Sequence, residues 1–141
     1  MVKIIGAAVL ILSITACESM GPTEDPCGGT DPLGCSIPDS VRVLSDDLLQ
    51  QANKFHGACV THDLCYRYGY ATYDLSREDC DTEFYAAMKA ACSGYGGLGM
   101  LDPEDFAKCQ LAALETYEAV KKYGEEHYRT SVIAFCEYRQ E

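Results

Sequence analysis

HGACVTHDLCYRYG, residues 56 to 69, decides how this chain is read. It sets His62 beside Asp63, with Cys59 and Cys65 three residues to either side of the histidine. Phe55, Ala58, Cys59, His62, Cys65 and Tyr66 fall at helical spacing, so the stretch predicts a helix with an imidazole between two cysteines on one face. Gly57 and Gly69 lower the helical propensity without breaking that pattern.

What two cysteines do there depends on the compartment, and the chain's start addresses that. MVKIIGAAVLILSITAC has one early cation, Lys3, then an apolar run from Ile4 to Ile14 and small residues before a cysteine. The run is about half of the ~20 residues a membrane-spanning helix needs, so residues 1–16 read as an export signal. Ile14-Thr15-Ala16-Cys17 resembles the lipobox of bacterial lipoproteins, which implies cleavage before Cys17 and its acylation. An ordinary secretory signal ending near Ala16 is the alternative. The expected location is the cell envelope as an anchored lipoprotein, or else the secreted fraction.

With Cys17 assigned to lipid, Cys27, Cys35, Cys59, Cys65, Cys80, Cys92, Cys109 and Cys136 remain. Eight cysteines in a small exported chain predict four disulfides, among about 105 possible pairings. Loss of Lys3 with the leader leaves 22 acidic residues against ten basic ones. Such a balance argues against nucleic acid as a partner and is ordinary for an extracellular surface.

Residues 17–26 read as the acylated cysteine and a short tether, because ESMGPTEDP has two prolines and no apolar period. The folded domain is then 27–141. CGGTDPLGCSIPD, residues 27–39, is loop chemistry that can turn carbonyls toward one point. Ser45 opens one or two helical turns over 45–54. Ser76, with Asp79 three residues on, announces a helix to about Ser93, whose inward stripe is Cys80, Phe84, Ala87 and Ala91. Asp102 and Pro103 start a third helix that Gly124 stops, and VIAFC near the end is apolar enough to pack. The fold class is mostly α, a disulfide-stapled helical domain.

Three readings compete for His62. In the first it is a core histidine, Asp63 a solvated helix aspartate, Asp81 a first-turn carboxylate favoured by the helix dipole, and Tyr66 a core aromatic. In the second, His56, Cys59, His62 and Cys65 bind zinc. They spread over roughly 13 Å of one rod, however, while zinc ligands converge to about 2.0–2.3 Å from a single ion. In the third, Asp81 is the partner: if Cys65 bonds to Cys80, two antiparallel helices are clamped and Asp81 comes near His62. A carboxylate on one ring nitrogen fixes the tautomer and leaves the other to take a proton from water. Asp63 beside a glycine-rich loop then suggests a hard, oxygen-seeking cation such as calcium.

Cys59-Val-Thr-His62-Asp63-Leu-Cys65-Tyr66 resembles the active-site helix of secreted phospholipase A2 enzymes. Asp81, Phe84-Tyr85, Met88-Lys89 and Cys92-Ser-Gly-Tyr95 resemble that family's second long helix, and Thr30-Asp31, Pro38-Asp39 and Tyr117 to Gly124 resemble its bacterial and fungal branch. The likeness covers about residues 29–124. It implies a phospholipase A2-like fold with two antiparallel active-site helices, acting on glycerophospholipids at a membrane or micelle surface. It makes His62 the general base, Asp81 its orienting partner, Tyr66 part of the network behind them, and Asp63 a Ca2+ ligand. Asp31, Leu33 and Gly34 are the loop positions nominated to complete the calcium shell, with Asp46 and Asp47 as outside candidates. The resemblance also implies the pairs Cys35–Cys59, Cys65–Cys80 and Cys92–Cys109, which leaves Cys27 and Cys136 for each other.

Two departures stand out. Ala58 replaces a cysteine of many animal members, and GTDPLG, residues 29–34, does not reproduce their calcium loop. A noncatalytic lipoprotein of the same fold, binding lipid or a partner protein, is the rival expectation. A serine hydrolase is a poorer third, because no Gly-x-Ser-x-Gly elbow occurs.

Overall fold

A computed structural model of the chain describes residues 23–35, 53–93, 102–130 and 135–139. The expected leader 1–16, Cys17, the start of the tether, Asp46, Asp47 and the glycine-rich turn after Ser93 lie outside the described residues.

Helices dominate. α1 (His56–Leu64) runs into a π-turn (Cys65–Gly69) and then α2 (Tyr70–Tyr73); α3 (Arg77–Ser93) and α4 (Pro103–Tyr123) follow, the last with a 3-10 turn at Glu125–His127. Among the described residues there is no strand, only one isolated antiparallel bridge between Thr23 and Leu33.

Local chemistry sets the helix starts. Ser76 and Asp79 form a reciprocal capping box: the Asp79 N–H donates to Ser76 Oγ at 3.1 Å, and the Ser76 N–H to Asp79 Oδ2 at 2.8 Å. Asp102 caps α4 by accepting from the Glu104 N–H at 3.1 Å, with Pro103 at the first helical position. The π-turn has no such local signature. Cys65, Tyr66, Tyr68 and Gly69 are all buried along it, with Arg67 between them only partly covered.

The core is shared by α1, α3 and α4. Phe55, Cys59, Phe84, Met88, Cys92, Cys109, Ala112 and Ala113 form one buried cluster. The inward stripe of α3 differs from the expected one. Ala87 is exposed and Ala91 only half-buried, while Met88 is completely buried, because the buried side follows the i, i+4 series from Cys80 through Phe84 and Met88 to Cys92. The long methionine fills the space over Ala112 and Ala113 that an alanine would leave empty.

Four disulfides staple this frame. Cys35–Cys59, Cys65–Cys80 and Cys92–Cys109 are bonded, the pairs the resemblance implies, and so are the two cysteines left over, Cys27 and Cys136. Each of the first three ties a neighbouring element to α1 or α3. The fourth fastens the N-terminal loop to the last segment, where the Cys136 N–H also donates to Thr72 Oγ1 at 2.9 Å.

Two sequence expectations change. The folded part begins before Cys27: Thr23 bridges Leu33 and Asp25 is buried, so the end of the expected tether belongs to the domain. Phe135, expected to pack, is 67% exposed, since the backbone around Cys136 is held by polar bonds and the disulfide. No helix among the described residues is long and apolar enough to cross a membrane.

Candidate active site

α1 and α3 run antiparallel, with Cys65 against Cys80 and His62 against Asp81 and Phe84. The disulfide fixes the axial register, and the second turn of α3 then presents Asp81 one residue after the staple. His62 Nε2 and Asp81 Oδ1 are 2.9 Å apart, with both residues buried. Tyr66, one turn after His62, donates its hydroxyl to the same Oδ1 at 2.6 Å. A carboxylate only accepts, so the imidazole proton resides on Nε2 and the basic lone pair on Nδ1.

The ring is held from both sides. Phe84 stacks on it with centroids 4.4 Å apart and a 24° interplanar angle, and Tyr66 lies 4.1 Å away at 46°. Tyr128 meets the Tyr66 ring edge-on at 5.6 Å, and the Arg129 N–H donates to the Tyr66 carbonyl. The chain leaving α4 therefore closes over Tyr66. Gly124 is the closest point: a Cβ there would stand 2.5 Å from Tyr66 Oη. Burial, then the bond to Asp81, push the Tyr66 phenol far above its usual range, so it remains a donor. On the far side of Asp81, Arg77 Nη1 is 3.9 Å from Oδ2 and donates to the Lys121 carbonyl at 3.1 Å. It gives the buried carboxylate a neighbouring positive charge.

Asp63 points to a different neighbour. Its Oδ2 accepts the Gly34 N–H at 2.8 Å, which joins the N-terminal loop to α1 beside His62. Burial raises the Asp63 carboxyl above its usual range, with the Gly34 bond opposing the rise. It forms no ion pair with a described residue. An under-neutralised carboxylate beside a backbone loop offers hard oxygen donors, chemistry that suits calcium. The other nominated positions have protein partners of their own. The Asp31 carbonyl accepts from Arg67 Nη1 at 2.8 Å, the Leu33 carbonyl accepts the Thr23 N–H at 3.0 Å, and Gly34 turns its N–H toward Asp63. The Asp31 side chain is exposed. A guanidinium already on the Asp31 carbonyl disfavours a second cation at that oxygen, which leaves the exposed carboxylate as the donor Asp31 could offer. Among the described residues no three His, Cys, Asp or Glu side chains stand together as a metal site. Zinc on the His56 to Cys65 series is excluded on different grounds, because Cys59 and Cys65 are disulfide-bonded and offer no thiolate.

Sequence reasoning missed Asp25, Arg67 and Arg77. Asp25 carried a signal in Asp25-Pro26-Cys27, because an aspartate accepting from the N–H two residues on is an Asx turn; Oδ1 takes the Cys27 N–H at 2.8 Å. Arg67 carried a weaker one, a cation lodged between two tyrosines in an otherwise buried run.

Comparison of the chain with protein-family models, curated proteins and solved structures gives no match.

Proposed function

We propose that this chain is a calcium-dependent phospholipase A2 that hydrolyses the sn-2 ester of glycerophospholipids. The observation that carries the reading is the buried His62–Asp81–Tyr66 network, stapled by Cys65–Cys80 one residue from the acid. No nucleophilic side chain is needed, because a water accepts the role once His62 Nδ1 removes its proton. Asp81 balances the imidazolium that forms, and the same nitrogen returns the proton to the departing glycerol oxygen. General-base assistance of this kind contributes about 10²- to 10⁴-fold. Asp63 is the carboxylate that would hold calcium, with backbone near Gly34; when bound, the ion supplies positive charge beside the reacting carbonyl and the lipid phosphate. The likeness of the motif to the phospholipase A2 family adds the substrate class. An exported, acylated chain at an envelope would meet that substrate.

The rival reading, a noncatalytic lipoprotein that binds lipid or a partner protein, is favoured by one observation. The backbone carbonyl of Asp31, one of the loop positions nominated for calcium, is turned to Arg67.

Fatty-acid release from mixed micelles separates the two. The proposal expects turnover that needs calcium and that His62→Gln abolishes while the four disulfides and helical content persist. Undiminished turnover in His62→Gln would remove the histidine from the mechanism, and no turnover by the unaltered chain with calcium would favour the rival.

A further inference from the structure

Arg67 takes no part in the His62 network, yet it sits among partners of unusual density. Its Nη1 donates to Asp25 Oδ2 at 2.9 Å and to the Asp31 carbonyl at 2.8 Å, and Nη2 donates to the Pro32 carbonyl at 3.3 Å. The Arg67 side chain is 18% exposed and that of Asp25 is 0% exposed. Asp25 also accepts the Tyr68 hydroxyl at 2.8 Å and the Cys27 N–H, while its carbonyl takes the Gly28 N–H at 3.1 Å. Gly29 passes so close that a Cβ would lie 2.3 Å from Asp25 Oδ2. The whole root of the loop converges on one half-buried ion pair.

From Pro32 the chain reaches Gly34 in two steps. Leu33 between them is buried against Leu64 and Tyr68 and is bridged to Thr23 in both directions. The peptide that meets Asp63 is thus suspended between the Arg67 fork and the Leu33 anchor. Converging carbonyls ordinarily need a cation among them, and this loop has one from its own chain, in a planar fork that an ammonium cannot imitate.

We propose that Arg67 is a positioning residue, a built-in cation that with Asp25 sets loop 25–34 in its working shape before calcium or lipid arrives, so that Gly34 is delivered to Asp63. Its kinetic consequence rests on the phospholipase reading; its structural consequence does not. Preorganisation of this kind removes an ordering cost from the binding step.

Amide hydrogen exchange on the full, disulfide-intact chain in excess chelator tests it. The Leu33 and Gly34 amides are expected to be protected by on the order of 10²-fold without any divalent ion. Arg67→Met keeps the apolar stem, loses the fork, and should forfeit most of that protection while α3 amides are unchanged. Arg67→Lys should recover it only in part. Free-chain exchange at Gly34 in the unaltered protein until calcium is added would overturn the proposal, as would full protection in Arg67→Met. Should Arg67→Met lose α3 protection too, Asp25→Asn replaces it and is read the same way. In turnover, Arg67→Met should raise the calcium needed for half-maximal rate roughly tenfold with kcat at saturating calcium preserved, and Arg67→Lys should lie between. An unaltered chain that hydrolyses no lipid would sink the phospholipase reading and leave the exchange result to judge the loop.

Discussion

Tyr66→Phe isolates one atom of the candidate site. The aromatic ring, its contact with His62 and its edge-on contact with Tyr128 all survive the change, and only the hydroxyl that donates to Asp81 Oδ1 at 2.6 Å is removed. A hydrogen bond to a charged acceptor contributes about 1.5–3 kcal/mol. Asp81 Oδ1 keeps its His62 partner, so the acceptor is not orphaned and the cost falls at the lower end, about 1.5–2 kcal/mol. With an m-value near 1.5 kcal/mol/M, urea unfolding with disulfides intact should show the midpoint falling by roughly 1 M at constant slope. The pH dependence has a definite sign. A phenol whose folded value is raised stabilises the fold fully below its ordinary value of about 10, and that contribution is lost as pH rises through the folded value. The deficit of Tyr66→Phe should therefore stay flat from neutral pH to about 9 and shrink only beyond 10. A loss under about 0.5 kcal/mol, or a deficit that grows in alkali, would refute the assignment of Tyr66 as donor to a buried carboxylate.

Three shorter predictions follow from the same geometry. Gly124→Ala should displace Tyr66 from Asp81, because the new Cβ would meet Oη at 2.5 Å; a proton resonance of the Tyr66 hydroxyl unmoved in the variant would contradict this. Burial pushes the Asp25 carboxyl upward, but the Cys27 N–H, the Tyr68 hydroxyl and Arg67 together outweigh it and hold the group below its ordinary 3.8. Its contribution is therefore present above about pH 4 and lost as pH falls through the folded value, so Asp25→Asn should flatten that part of the acid unfolding curve; unchanged steepness would count against the ion pair. Replacing Cys65 and Cys80 together by serine opens a 15-residue loop and should cost about 3 kcal/mol; a calorimetric loss well under 1 kcal/mol would mean the helix register is held without the staple.

Much of the frame was legible because its signals are local. Ser76 with Asp79, and Asp102 with Pro103, mark helix starts by hydrogen bonds that span three residues at most, and the structure contains both. The His62–Asp81 pairing is long-range, but Cys65 three residues from the histidine and Cys80 beside the aspartate make it readable in the sequence. What escaped depends on tertiary compensation. Nothing in CYRYG announces a π-turn, whose widened backbone is stabilised only by the buried partners of Cys65, Tyr66 and Tyr68. Ala87 and Met88 are neighbours of similar helical propensity, and only the facing alanines of α4 decide which turns inward. The Arg67 contact escaped because a polypeptide carbonyl has no sequence preference for its donor, so nothing in GTDPLG announces a guanidinium on the Asp31 oxygen.

The Cys27–Cys136 bond has a mechanical meaning. Its two cysteines are 109 positions apart, so nearly all of the described fold lies inside a covalent ring. Tension applied across the two ends of the polypeptide travels through that one cross-link and bypasses the helices. A pull on residues before Cys27 against residues after Cys136 would stretch the chain outside the ring while His62 and Asp81 within it feel almost no load.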